Sequence, residues 1–201
     1  MHNISRTWLL ALAFLATSSV VAASCSQDGR DMKPPTAGQT ESIALATTIP
    51  EEIVEPVAFA IAAPWVEGAP LDDLFTCVGS RLSPSFTISG LPEGTIAWGF
   101  SIIDQTADNA VHWAAANIAP ETTAVEAGVV PMGVVQSLNR IDKVGYAAPC
   151  PKVGEPHTYI LTAYALSQQL EVSEGQDSET MLTALEAGSL AIAATTFTVL
   201  R

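Results

Sequence analysis

Positive charge is scarce in this chain. Its 201 residues hold eight Lys and Arg against 21 Asp and Glu, a formal net charge of −13 at pH 7. Nucleic acids and anionic membrane surfaces are both gripped by clustered basic side chains, so this balance excludes a nucleic-acid partner and purely electrostatic attachment to lipid. The plainest reading of the acidic excess is solubility. Cysteine and histidine are rare too, three of each; no C-x2-C pair occurs, and the spacings match no common local zinc pattern, so neither metal nor cofactor is expected. There is no glycine-rich phosphate loop, no heptad pattern and no internal repeat. A G-x-S-x-G elbow is missing as well, and Ser189, the nearest approach to one, stands where a helix should end. Charged residues are only 14% of the chain. Hydrophobic ones are 48%, too rich for disorder and enough to fill one core.

The first 24 residues stand apart. Arg6 precedes an apolar run over residues 9–16, small residues follow as far as Ser24, and Cys25 comes next. This is the layout of a secretory signal; the run is too short and wrongly flanked for a membrane-spanning helix. A cysteine directly after Ala-Ala-Ser resembles a bacterial lipobox, in which cleavage before Cys25 leaves an N-terminus and a sulfur that carry acyl chains. Ala22 stands where such boxes usually hold Leu, and ordinary cleavage would instead leave Cys25 as a thiol. We expect the lipoprotein, since several acyl chains at about 0.8 kcal/mol per buried CH2 anchor a protein stably. Its place is then the cell envelope, lipid-anchored on the extracytoplasmic side of a bacterial membrane. Cleavage removes one basic residue, Arg6, and no acidic one, leaving seven against 21 and a net charge of −14. That compartment is oxidising, so Cys77 and Cys150 could pair; a bridge and two buried thiols both stay open on sequence alone.

Residues 25–56 lack sustained periodicity and are rich in Pro, Thr, Gln and Glu, which reads as a flexible tether, with Ile43–Leu45 the one stretch able to form local structure. From residue 57 the texture changes to short apolar stretches broken by Gly and Pro. Residues 86–88 run into a turn cluster at 90–94. Residues 95–104 and 111–118 read as strands, and 159–166 as a strand buried on both faces. Asp177 or Ser178 can cap a helix carrying Met181, Leu182 and Leu185, stopped at Gly188, after which residues 190–200 return to strand character. The expected fold is mostly β, an antiparallel domain over residues 57–201 with a few peripheral helices.

Four segments of that domain, in order, resemble the phosphatidylethanolamine-binding protein family in its bacterial, Raf-kinase-inhibitor-like branch. Phe75-Thr76-Cys77-Val78-Gly79 with Ser83-Pro84 is similar to the opening "YTCDG…SP". Asp104, His112-Trp113 and Asn117-Ile118 are similar to "DPDAP…HW…NIP". Gly145 to Pro151 is similar to "GYGGPCPP", and His157-Thr158-Tyr159 with Tyr164-Ala165-Leu166 to "HRY…YAL". Four departures stand out: Gln105-Thr106 replaces Pro-Asp, Ala147-Ala148 replaces two glycines, Lys152 replaces a proline, and Gly188 replaces a late histidine.

The resemblance implies a small anion-accepting pocket lined by Asp104, His112, Pro149, Pro151, His157 and Tyr159. Imidazole and phenol would donate to phosphate or carboxylate oxygens, and Asp104 would fix a histidine tautomer and favour its protonated form. The residues also have plain readings: Asp104 as an Asx-turn or cap, each histidine as a satisfied polar residue, Trp113 as core. The implied function is non-enzymatic binding of a small anionic or phosphorylated ligand, a phospholipid head group being one example. The alternative is a protein-interaction or inhibitor module acting on a partner enzyme. An enzyme using the Asp/His pair as acid and base is disfavoured by the missing nucleophile and cofactor motifs.

Overall fold

The computed structural model describes residues 57–201; the signal segment, Cys25, the tether and Ile43–Leu45 lie outside the described residues. Eight strands and one α-helix follow in order: β1 (Ala60–Ala62), β2 (Phe86–Ser89), β3 (Ala97–Asp104), β4 (Ala110–Ile118), β5 (Ala124–Val125), β6 (Val135–Gln136), β7 (His157–Leu166), α1 (Ser178–Gly188) and β8 (Ser189–Val199). A single 3-10 turn, Asp73–Phe75, is the only other helical piece among the described residues, so the expected few helices reduce to one and a turn. All strand pairs within the two sheets are antiparallel. The larger sheet has the order β6-β4-β3-β7-β8 and the smaller β1-β2-β5.

The near-continuous apolarity of β3 and β7 is explained by what covers the larger sheet. On one face Trp98, Phe100, Ile102, Tyr159, Leu161 and Phe197 share a core with Phe86, Ile88 and Val125 of the smaller sheet. On the other face Ala97, Ala114, Ala116, Tyr164 and Leu166 meet Met181 and Leu185 of α1. A strand with both faces covered has no reason to alternate. Gly99 marks the close approach, because a Cβ there would collide with the Leu185 side chain and the Ala115 carbonyl. Asp177 caps α1 by accepting from the Thr180 N–H at 2.8 Å, and the helix ends at Gly188.

One irregularity positions chemistry. In the β3–β4 ladder Ile102 faces Trp113 but Ile103 faces Val111, so His112 is the extra residue of a β-bulge. Strict alternation would send His112 and Trp113 to opposite faces. The bulge instead lets both reach the aromatic side: Trp113 meets Phe100 edge-on at 4.6 Å, and His112 meets Tyr159 edge-on at 5.2 Å.

Strand β8 is the outer strand on its side of the sheet, and residues 67–71 cover part of its free edge. Gly68 N–H and Leu71 N–H donate to the carbonyls of Thr196 and Thr198, and the Glu67 carboxylate accepts from the Thr196 backbone and from the Thr195 and Thr196 hydroxyls. Those hydroxyl and amide donors hold the Glu67 carboxyl below its ordinary value.

Candidate functional site

Asp104 ends β3, His112 lies near the start of β4, and His157 and Tyr159 begin β7. Cross-strand register, with Asp104 opposite both Ala110 and Tyr159, therefore gathers four expected residues at one end of the larger sheet. They line a narrow cleft together with Ala107, Arg140, Cys150 and Pro151. Its interior is small, about 30 Å³, room for roughly two water-sized groups. Pro149 is not in this lining. It lines a separate, smaller space with Cys77 and Val78, and its carbonyl accepts from the Cys77 N–H at 3.1 Å.

Asp104, only 3% exposed, uses its two oxygens differently. Oδ1 accepts from the Thr106 and Ala107 N–H groups at 3.0 and 3.1 Å, an Asx-turn, while Oδ2 accepts from His157 Nδ1 at 2.7 Å. Burial alone would raise the Asp104 carboxyl. The hydrogen bonds from His157 and the Thr106 amide, with Tyr159 nearby, more than offset it and hold the group below its ordinary value. Thr106, which replaces the family's second carboxylate, uses Oγ1 to accept from the Thr158 N–H at 2.9 Å and ties the end of β3 to β7.

His112 departs from the expected protonated donor. It is 1% exposed, and its Nδ1 lies 2.6 Å from the Ala147 carbonyl. A carbonyl can only accept, so the hydrogen is on Nδ1. The Ala147 N–H returns a bond to the His112 carbonyl at 2.8 Å, locking the loop to the strand. Burial then lowers the imidazole below its ordinary value, outweighing the Ala147 bond. Nε2 is buried without a hydrogen-bond partner and stands 4.0 Å from Asp104 Oδ2. In the neutral ring this nitrogen is a bare acceptor. Tyr159, 1% exposed, is sandwiched between His157 and Phe197, with burial and then the Asp104 charge pushing its phenol up. Trp113 is core, with its Nε1–H donated to Gln136 Oε1 at 2.8 Å.

Cys77 and Cys150 are bridged, with Cα atoms 5.3 Å apart across 73 positions of sequence. The bond fastens the loop after the 3-10 turn to the loop that carries Ala147 and Pro151. Gly79 completes that fastening, since a Cβ there would run into the Asp73 carbonyl. Arg140, Ala107 and Cys150 are the lining residues that sequence reasoning missed. Arg140 sits in an irregular turn outside all four motifs, so only its rarity as a base could have drawn notice.

With this geometry in view, the comparisons are specific. A family model described as phosphatidylethanolamine-binding protein matches residues 62–200. A protein of Mycobacterium tuberculosis named as a lipoprotein, LppC, is 31% identical over 170 residues, spanning 83% of this chain and 83% of its own length. A UPF0098 protein of Methanothermobacter thermautotrophicus is 34% identical over 119 residues, 56% of this chain and 78% of its own. Among solved structures, Escherichia coli YbcL, titled a new member of the mammalian PEBP family, superposes with a TM-score of 0.66 at 26% identity, covering 72% of this chain and 99% of that one.

Proposed function

Because the chain belongs to the phosphatidylethanolamine-binding protein family, we propose that it is a membrane-anchored, extracytoplasmic binding protein for a small anionic or phosphorylated ligand, a phospholipid head group being the type case. The observation that carries this reading is the cleft itself. Asp104, His112, His157 and Tyr159 converge there, an unpartnered imidazole nitrogen lies at its back, and the Arg140 side chain lines it. A buried acceptor without a partner costs about 1–3 kcal/mol, and a ligand that donates a hydrogen to it, as the hydroxyl of a singly protonated phosphate does, recovers that cost on binding. Binding rather than catalysis fits the lining. Its one sulfur is in a disulfide, and its phenol is held far from ionisation. The anchor rests on the lipobox-like Ala-Ala-Ser-Cys25 and on the extended likeness to a protein named as a lipoprotein.

Calorimetric titration of phosphorylated head-group analogues tests the cleft. Wild type should bind, and His157→Ala should weaken binding by roughly 1.5–3 kcal/mol, the scale of a hydrogen bond to a charged group. A wild type that binds none of them, or a variant that binds them all equally well, would refute the assignment.

A further inference from the structure

The connection between β5 and β6, residues 126–134, carries its apolar side chains outward. Val129 is 52% exposed, Val130 45% and Met132 98%, and the exposed Leu82 side chain lies against Gly128 at the foot of the same loop. Val134, next to β6, turns in to the core and roots the loop. None of these side chains lines the cleft. We propose that this loop, with Leu82, is a docking surface for a zwitterionic lipid bilayer, its aliphatic tip seated at the boundary between head groups and acyl chains.

Three observations favour a bilayer over a protein partner. The first is shape. Turns at 127–128 and 132–133 use Gly128 and Gly133 at positive φ, and a Cβ added at Gly133 would meet nothing within 4 Å. The tip stands clear of the domain. Protein interfaces centre on aromatic or arginine anchors seated in pockets, and this tip has neither aromatic nor arginine. A bilayer demands only apolar surface, with no matching contour.

The second is the backbone. An amide carried below the head groups loses water and needs a partner. The Gly128 N–H donates to the Ser83 carbonyl at 3.0 Å and the Val129 N–H to the Glu126 carbonyl at 3.1 Å, while Pro131 has no N–H to satisfy. The third is charge. From Ala127 to Asn139 no residue is charged, and the stretch is bounded by Glu126 and Arg140, one of each sign. The patch is therefore neutral on a body whose chain carries −13. A zwitterionic surface accepts such a patch. An anionic one repels the acidic body around it and gives the aliphatic tip nothing in return.

Tryptophan placed at the tip reads its depth. Full-length Met132→Trp mixed with phosphatidylcholine vesicles should show blue-shifted emission relative to wild type, and quenching by lipids brominated on their acyl chains. Thr183→Trp, at an exposed position of α1, should show neither. Adding Val129→Asp and Val130→Asp to Met132→Trp should remove both signals, and Val129→Ser with Val130→Ser should reduce them; melting temperatures identify which variants are folded. Exchanging part of the phosphatidylcholine for phosphatidylglycerol should weaken the quenching at low salt. Comparing two positions in one protein gives an answer whether or not an acyl chain at Cys25 also holds the protein to the vesicle. A tip tryptophan without shift or quenching, an equal signal from Thr183→Trp, or a full signal in a folded Asp or Ser variant overturns the docking surface. Stronger quenching with phosphatidylglycerol transfers the attachment to basic side chains and overturns it as well. A blue shift that grows with protein concentration in the absence of vesicles gives the patch to a second copy of this chain instead.

Discussion

Replacing Cys77 and Cys150 together by serine isolates the contribution of one covalent link. Cys150 is exposed and Cys77 half-buried, so the exchange removes little apolar burial. What it removes is a loop closed across 73 positions. For a loop of that size the unfolded chain regains about 4 kcal/mol of conformational freedom at 25 °C in the chain-entropy account. At about 2–4 °C per kcal/mol for a domain near 150 residues, the melting temperature should fall by roughly 10 °C. Urea unfolding should show the loss as a lower midpoint, and the wild type under reductant should match the double variant. Cys150 of that bond lines the cleft, so affinity for a phosphorylated head-group analogue should fall more than in a variant destabilised equally by a distant core change. A loss below about 1 kcal/mol, with melting unchanged and binding intact, would refute the view that this link constrains both the unfolded chain and the site.

Leu185→Ala serves as that distant control: its side chain is fully buried against Gly99, so truncation should cost about 2–5 kcal/mol by urea denaturation, with binding retained at temperatures where the protein is folded. Acid should weaken the fold through His112. The unfolded chain takes up a proton near pH 6.5 while the buried ring resists, so this contribution is complete above about pH 6.5 and is lost as pH falls below it. Urea midpoints at pH 7.5 and 5.5 should differ more in wild type than in His112→Asn, and equal differences would remove His112 as the cause. Asp104, whose carboxyl is held below its ordinary value, adds a second loss only in stronger acid, as pH falls through that lowered value. Cys25→Ser should release the protein from the membrane fraction and block lipid processing; unchanged partition and mature mass would sink the lipobox reading.

The long elements were legible because each carries a strong local signal. Residues 159–166 are almost continuously apolar, and Asp177 precedes a helix with Met181 and Leu185 one turn apart; both segments form as read. Strands β1, β5 and β6 are two or three residues long, too short for any period, and exist only because a longer neighbour pairs with them. Motif likeness pointed to Asp104, His112, His157, Tyr159 and Pro151, which the fold brings to one cleft, but it said nothing of which imidazole nitrogen carries the hydrogen. That is decided by the Ala147 carbonyl, 35 residues away in sequence. The pairing of Cys77 with Cys150 likewise depends on loop proximity that spacing cannot encode. Arg140 reaches the cleft from a turn that no motif marks.

Glu67 has a consequence beyond the strand it touches. An outer strand presents a row of unpaired amides, a template on which a second chain can grow a continuous sheet. At Thr196 that template is filled by a carboxylate, which takes the amide and two neighbouring hydroxyls while bringing a negative charge. A foreign strand approaching there would have to displace a satisfied ion and leave it without its donors. If the chain is lipid-anchored as proposed, many copies on one membrane are held at high local concentration, where strand exchange between neighbours is most dangerous. One acidic side chain at the sheet's margin thus guards against edge-to-edge pairing, a protection that the chain's net charge alone would not direct to the vulnerable place.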